Sequence, residues 1–265
     1  MGETVKTLNE VNIGFDQFRF NDAAQTLYSF IWGTVCDWYV ELSKPLLSTD
    51  DLKLKTETQN TMGWVIDQCL IMLHPIMPFI TEELWERLSS RKTMLVHCNW
   101  PEFDTALIDQ SADREMNWVV NLIEAIRSAR AQMRVPAGLK IPMIFLEMDD
   151  EAKEAWDNNH AMIKKLARIT ELTATDEVPK GSISLIAKGA AFALPLDDII
   201  DIEEEKKRLS KSLDKIRKEI SALKGRLQNP KFVESAPEEV ILETRENLSL
   251  REEEEKQLSG AASQL

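Results

Sequence analysis

Apolar side chains recur at steps of three and four along the first hundred residues, the spacing of one face of an α-helix. The strongest pattern covers residues 20–42 and predicts one long amphipathic helix, with Asn21 as its N-cap and Pro45 as the residue that ends it. Its apolar positions are Phe20, Ala23, Ala24, Leu27, Ile31, Val35, Trp38 and Leu42. This helix belongs to a predicted helical bundle over residues 1–110.

Two further helices are predicted in this bundle. The first covers residues 56–73 and is followed by Pro75 and Pro78, which must kink or break it because proline lacks a backbone donor. The second covers residues 82–88, with Thr81 as its N-cap and acidic residues in its first turn, where the helix dipole favours them.

The pattern changes in residues 111–197. Amphipathic helices are predicted at residues 113–134 and 151–168, on either side of a short apolar run. Strands are predicted at residues 141–148, 182–187 and 191–196. This section therefore predicts a small α/β subdomain in which helices cover one sheet.

Residues 198–265 carry a heptad repeat, broken by Asn229 and Pro230. Its apolar positions are Ile202, Leu209, Leu213, Ile216, Ile220, Leu223 and Leu227. Ser235 and Glu238 form a capping box for a second helix, so the section predicts a C-terminal antiparallel coiled-coil hairpin. The predicted fold is mainly α with a small α+β part.

The hairpin separates charge. The whole chain has a net charge of −13, yet residues 206–231 contain ten basic and two acidic residues, a local balance of +8. An acidic protein repels polyanions as a whole, so a segregated basic stripe indicates a docking surface for nucleic acid or another anion. The alternative is an ordinary solvated outer face of a coiled coil.

Several classes of protein are not indicated. No apolar run approaches the length of a membrane span, and no signal-peptide pattern is present, which predicts a soluble protein without a membrane partner. The three cysteines form no Cys-x-x-Cys pair, which predicts no metal site and a reducing, cytoplasmic location. There is no glycine-rich phosphate loop, G-x-S-x-G or H-E-x-x-H motif, so no catalytic residue is predicted.

Several stretches together resemble the C-terminal third of bacterial valyl-tRNA synthetases, which are class I aminoacyl-tRNA synthetases. They are residues 20–28, 36–45, 73–85, 126–130, 194–201, 229–232 and 236–240. Residues 73–85 also resemble the related leucyl and isoleucyl enzymes. Residues 194–201 and the hairpin that follows them resemble only the valyl enzymes. A sister synthetase for leucine or isoleucine is therefore the less favoured assignment.

The resemblance implies a tRNA-binding C-terminal region of a valine–tRNA ligase, inactive by itself. The catalytic and editing domains would lie upstream on the same polypeptide and would use ATP and Mg, with no cofactor in this region. The implied partner is the valine-accepting tRNA, not DNA. A protein-interaction scaffold with a helical docking arm is the rival hypothesis, and it predicts little dependence of binding on salt.

Two groups of candidate tRNA-binding residues follow. In the anticodon region they are Asp37, Val40, Lys44, Arg127, Arg130 and Arg134. Burial of the apolar face of helix 20–42 would expose the first three, and the arginines recur at steps of three and four. In the coiled-coil arm they are Lys207, Arg208, Lys211, Lys215, Lys218, Arg226 and Lys231. By resemblance, this arm would lie against the outer corner of the tRNA, where the D and T loops meet.

Overall fold

The computed structural model describes residues 1–175, 177–197, 199–229, 232 and 237–264. They form two compact units, Met1–Asn117 and Trp118–Leu265. The fold is mainly helical with one small sheet, as predicted. The division into three domains stays a prediction, since the second unit contains both the sheet and the helical hairpin.

The first unit is a helical bundle. Its helical segments are α1 (Gly2–Asp16), α2 (Phe20–Ser29), a π-helical segment (Phe30–Tyr39), α3 (Val40–Leu47), α4 (Leu52–Leu73) and α5 (Pro78–Leu88). Val11, Leu27 and Met72 are fully buried at the centre of one apolar cluster that joins α1, α2 and α4. A second cluster surrounds Trp85 and Leu95.

The helix predicted over residues 20–42 differs from expectation in its middle and at both ends. The π-helical segment interrupts it, and the amide of Val40 donates to the carbonyl of Val35, five residues back. Asn21 lies inside α2 rather than at its N-cap. Pro45 lies inside the last turn of α3, which continues to Leu47, because a missing donor there costs only one hydrogen bond.

The start of α5 also differs. Pro78 occupies the first turn, where its fixed φ and missing N–H are tolerated, so Thr81 is not the N-cap. Thr81 is buried instead, donates from its hydroxyl to the carbonyl of Met77 at 2.8 Å, and lies 2.8 Å from His74 Nδ1. The preceding helix α4 begins four residues before the predicted start, capped by the Asp51 carboxylate.

The second unit combines a sheet, two covering helices and the hairpin. Its elements are α6 (Gln110–Gln132, which begins in the first unit), β1 (Ile141–Met148), α7 (Asp150–Ala167), β2 (Ile169–Ala174), β3 (Ser182–Ala187), β4 (Ala190–Pro195), α8 (Ile202–Gln228) and α9 (Glu238–Gln264). The strand order is β2-β1-β4-β3. Strands β1 and β2 are parallel, with α7 between them in the chain, and the other pairs are antiparallel.

The turn between β3 and β4 depends on one glycine. Gly189 has a φ of +75°, a left-handed conformation that most side chains avoid. A Cβ there would lie 2.1 Å from Asp149 Oδ2, so only glycine fits. The turn is fixed in place because the Gly189 carbonyl accepts a hydrogen bond of 2.9 Å from the amide of Asp149.

The heptad seam of the hairpin is confirmed. Leu209, Leu213, Ile216 and Ile220 are buried on α8, while Ile202, Leu223 and Leu227 are half-buried. On α9, Val240, Ile241, Leu248 and Leu258 are half-buried. Thr244 is buried, and its hydroxyl donates to the Val240 carbonyl. The proposed cap Ser235 lies outside the described residues.

Candidate nucleic-acid interface

Ion pairs between the two helices of the arm account for part of its charge separation. Arg217 Nε lies 2.7 Å from Glu255 Oε1, and Lys224 Nζ lies 2.6 Å from Glu252 Oε1. A third pair has the opposite direction of charge: Arg251, one of the few basic residues of α9, lies 3.2 Å from Glu219 on α8. These pairs flank the seam, so they help to hold the two helices in register.

A second set of basic residues on α8 faces solvent. Lys207, Lys211 and Lys218 are exposed and make no ion pair among the residues that the structure describes. Lys215 is also exposed and has one long pair, 3.8 Å from Glu219. We call Lys207, Lys211, Lys215 and Lys218 the lysine row. Because a step of three or four residues advances roughly 4.5–6 Å along a helix, the row offers repeated charges along one side of the arm.

The remaining predicted arm residues have different surroundings. Arg208 is half-buried and donates from Nη2 to the carbonyl of Gln132 at 2.8 Å, which ties the base of the arm to the end of α6. Arg226 lies over the ring of Phe232, with Cζ 4.4 Å from its centroid. Lys231 lies outside the described residues.

In the first unit, the predicted anticodon-region residues lie on or next to the π-helical segment. Asp37 and Lys44 are exposed and Val40 is half-buried, while Val35 and Leu42 are buried. Lys44 is ion-paired with Glu41. Asp37 on the π-helical segment and Lys44 on α3 therefore lie on either side of Val40 in the chain. Val35 and Leu42 are buried as predicted, whereas Val40, predicted to be exposed, is half-buried.

The three arginines near the end of α6 do not share one environment. Arg127 is exposed and donates from its guanidinium to the carbonyl of Leu166 at 3.1 Å, and Arg134 is exposed. Arg130 is only 6% exposed and donates to the carbonyls of Pro136, Leu139 and Arg168, so its side chain holds the following loop. Burial, and next the charge of Arg168, lower the pKa of Arg130. Arg130 is thus a structural residue, not part of an exposed stripe.

Sequence patterns missed an exposed aromatic pair beside this segment. Tyr28, near the end of α2, and Trp32, inside the π-helical segment, are 60% and 55% exposed and lie four residues apart. Neither residue belongs to the apolar positions of the predicted helix, so the pattern of buried positions gave no signal for this pair. Exposed aromatic rings are surfaces on which unpaired bases stack.

A cleft of about 480 Å³ opens in the same unit between α1 and α2. Its polar walls include Glu10, Gln25, Ser29 and Thr34, and the Gln25 amide donates to Ser29 Oγ at 3.2 Å. Among the described residues, no group of histidine, cysteine or carboxylate side chains could hold a metal ion. Over the same residues, no helix is long and apolar enough to cross a membrane.

Comparison with known proteins gives both parts of the chain a family. Residues 1–145 match the anticodon-binding domain of tRNA ligase, and residues 201–265 match the valyl tRNA synthetase tRNA binding arm. The first match contains the π-helical segment, and the second contains both helices of the hairpin.

Individual relatives are similar to this chain along its full length. A valine–tRNA ligase of Ruegeria pomeroyi is 60% identical over 266 residues, which cover 100% of this chain and 26% of that protein. One from Cereibacter sphaeroides strain ATCC 17029 is 52% identical, with 100% and 26% covered, and one from Caulobacter vibrioides is 40% identical, with 100% and 30% covered. The chain thus spans 26% to 30% of the length of these relatives. It belongs to the family of tRNA-ligase anticodon-binding domains, and its whole length is similar to the C-terminal region of valine–tRNA ligases.

Proposed function

We propose that this chain binds the valine-accepting tRNA, through the π-helical segment at the anticodon arm and through the helical hairpin at the outer corner of the tRNA. The lysine row is the observation that carries this proposal. It lies on the helix side opposite a well-buried seam, so packing of the hairpin does not require its charges. The match of this hairpin to a tRNA binding arm supports the same partner.

The lysine row suits phosphates rather than bases. An ammonium group binds a phosphate as a compact charge and reads no base edge, so the row would supply affinity and register without sequence choice. The ion pairs of Arg217 and Lys224 use other basic residues for the helix–helix contact. The two tasks of the arm are therefore divided between different faces of α8.

Choice between tRNAs would come from the first unit. Asp37 and Lys44 present opposite charges on either side of Val40, an arrangement that fits one base packed on an apolar side chain with a phosphate beside the lysine. The match of residues 1–145 to an anticodon-binding domain supports this placement. Tyr28 and Trp32 add exposed rings nearby in the chain.

The chemistry of charging would belong to other parts of the polypeptide. The relatives are valine–tRNA ligases, of which this chain matches about a quarter, so we propose upstream catalytic and editing domains that use ATP and Mg. This chain would position the tRNA for them in the cytoplasm. The reaction would attach valine to the tRNA that the two units hold.

Equilibrium binding across a salt series tests the proposal. The full chain is titrated against valine tRNA and against a non-cognate tRNA, and the test variant carries Lys207→Ala, Lys211→Ala and Lys218→Ala. The control variant carries Lys53→Ala, Lys92→Ala and Lys153→Ala, three exposed lysines outside the arm. We expect affinity to fall steeply with salt, and the slope of log K against log salt to fall by about two to three in the test variant alone.

The competing hypothesis predicts a different result. A protein-docking arm would give weak RNA binding that the three arm lysines do not change. An equal fall of the slope of log K against log salt in the test and control variants would also contradict the proposal. It would mean that the RNA is attracted to any exposed lysine. Tighter binding of valine tRNA than of the non-cognate tRNA would support base reading by the first unit.

A further inference from the structure

Two arginines of the second unit have a backbone conformation that favours glycine. Arg134, just after α6, has a φ of 51°, and Arg168, at the C-cap of α7, has a φ of 58°. Helices that end in this left-handed conformation usually carry glycine or asparagine there, because a Cβ is strained. In the described part of the chain, Phe18 is the only other non-glycine residue with positive φ.

Both arginines adjoin one loop, residues 135–140, of which residues 136–140 are exposed: Arg134 precedes it in the chain and Arg168 contacts it. A guanidinium nitrogen of Arg168 donates to the carbonyl of Ala137, in the middle of this loop. Beneath it, the buried Arg130 donates to the carbonyl of Leu139 at 2.6 Å and to the carbonyl of Arg168 at 3.3 Å. Arg130 and Arg168 therefore both hold the loop through hydrogen bonds to its carbonyl groups.

In the described part of the chain, the positive charge around this loop has no carboxylate partner. Within the described residues, Arg130, Arg134 and Arg168 make neither an ion pair nor a hydrogen bond with an acidic side chain. Lys140, exposed at the end of the loop, adds a further cation. Burial is the main cause of the lowered pKa of Arg130, and the nearby charge of Arg168 is the second.

Helix dipoles explain only part of the arrangement. Cations are favourable near helix C-termini, and both arginines lie at such ends. Glycine at these two positions would avoid the backbone strain, and a lysine or arginine one turn earlier would satisfy the dipole equally well. Strained residues with unpaired charge on an exposed loop are the kind of outlier from which a binding role is inferred.

We propose that Arg134, Lys140 and Arg168 bind a phosphate of the RNA backbone, at a site separate from the lysine row. We call these three residues the loop collar. The exposed Leu139, which is 41% accessible, and Pro136 give a ribose or base an apolar surface beside that phosphate. The site rests on the proposed function, because it adds a second contact with the same tRNA and extends the interface to the sheet-containing part of the second unit.

Glycine variants separate a binding role of the two arginines from a structural role. Arg134→Gly and Arg168→Gly remove the charge while relieving the left-handed strain, and this relief offsets the loss of the hydrogen bond from Arg168 to the Ala137 carbonyl. The double variant is compared with Lys153→Ala/Lys188→Ala, which removes two exposed cations from the same unit. Thermal melting of each variant is recorded beside its binding to valine tRNA in a salt series.

The loop collar predicts that the glycine double variant melts close to the parent chain and binds tRNA more weakly. Its slope of log K against log salt should fall by about one to two, whereas the control double variant should keep the parent slope. Adding Lys140→Ala should weaken binding further.

Three outcomes overturn the proposal. An unchanged slope in the glycine variant, while the lysine-row variant loses slope, would refute the loop collar and leave the proposed function standing. Absence of tRNA binding by the parent chain at low salt would refute both. A glycine variant with a higher melting temperature and parental binding would show that the arginines serve the helix ends alone.

Discussion

Arg208 Nη2, on the first helix of the arm, donates a hydrogen bond of 2.8 Å to the backbone carbonyl of Gln132 at the end of α6. The bond joins the base of the arm to the helix that leads into the sheet. The sequence predicts Arg208 as a tRNA-binding residue together with the neighbouring lysines. Its half-buried side chain instead gives it a fastening role, whereas Lys211 on the next turn is exposed.

This relationship predicts that Arg208→Ala lowers the free energy of unfolding. A hydrogen bond from a charged donor contributes roughly 1.5–3 kcal/mol, so a loss of about 1–2 kcal/mol is expected at this half-buried position. Urea unfolding followed by circular dichroism measures it, with Lys211→Ala as the exposed control. Equal stabilities for the two variants would show that the bond does not fasten the arm.

Arg130 gives a second prediction about stability. Arg130→Met keeps the length of the side chain but removes the donors to the carbonyls of Pro136 and Leu139. The unpaired buried groups should cost about 2–3 kcal/mol in urea unfolding. Arg134→Met, an exposed change four residues later, is the control and should cost less than about 0.5 kcal/mol. A reversed order of the two losses would contradict the structural role of Arg130.

The register of the hairpin can be tested by exchanging one ion pair. Lys224→Glu or Glu252→Lys alone places like charges side by side, while the double variant restores an attractive pair. Because both side chains are about half-exposed, the coupling energy should be only about 0.2–1 kcal/mol and should shrink in high salt. Thermal unfolding of all four proteins gives this energy. Additive single effects would mean that these residues do not meet in solution.

The cysteines should differ in reactivity. Burial raises the pKa of the Cys69 thiol to about 12, with a smaller contribution from Cys36, so Cys69 stays protonated and enclosed at pH 8. Cys36 is exposed on the π-helical segment, next to Asp37. Iodoacetamide at pH 8, followed by peptide mass spectrometry, should therefore label Cys36 well before Cys69.

The same labelling reports on the anticodon face. Bound valine tRNA should slow alkylation of Cys36, because the neighbouring Asp37 and Val40 would be covered. Cys98, half-buried elsewhere in the unit, is the internal reference. Labelling of Cys69 at the rate of Cys36 in folded protein would contradict the burial, and an unchanged Cys36 rate with tRNA bound would place the anticodon arm elsewhere.

Elements with a regular period could be predicted from the sequence. The seam of α8 and strands β1 and β3 follow from heptad spacing and short apolar runs, and their bounds agree closely with the structure. Strand β2 was missed because its residues 169–174 alternate weakly and mix charge with small side chains. Its position depends on pairing with β1, which no local pattern records.

Site residues were harder to predict, since charge type does not reveal a partner. Lys211 and Lys218 are exposed, as their positions opposite the seam require. Arg130 has the same spacing from its arginine neighbours as an exposed stripe would have, yet its guanidinium is enclosed by carbonyls from a loop that follows it. Arg168 gave no signal at all, because only its backbone conformation distinguishes it.

Site-directed cleavage of bound tRNA locates the part of the tRNA that the lysine row contacts, and so tests the proposed tRNA binding by the arm. Lys218→Cys is made with Cys36→Ser and Cys98→Ser, while the inert Cys69 is retained, and the new thiol carries an iron chelate that cleaves nearby RNA. The control probe is Lys256→Cys, an exposed site on α9 close in level to Lys218, because Glu255 pairs with Arg217. We expect cleavage of bound valine tRNA in the D and T loops from position 218, and much weaker cleavage from position 256. Cleavage centred on the acceptor stem or the anticodon, or equal cleavage from both probes, would contradict it.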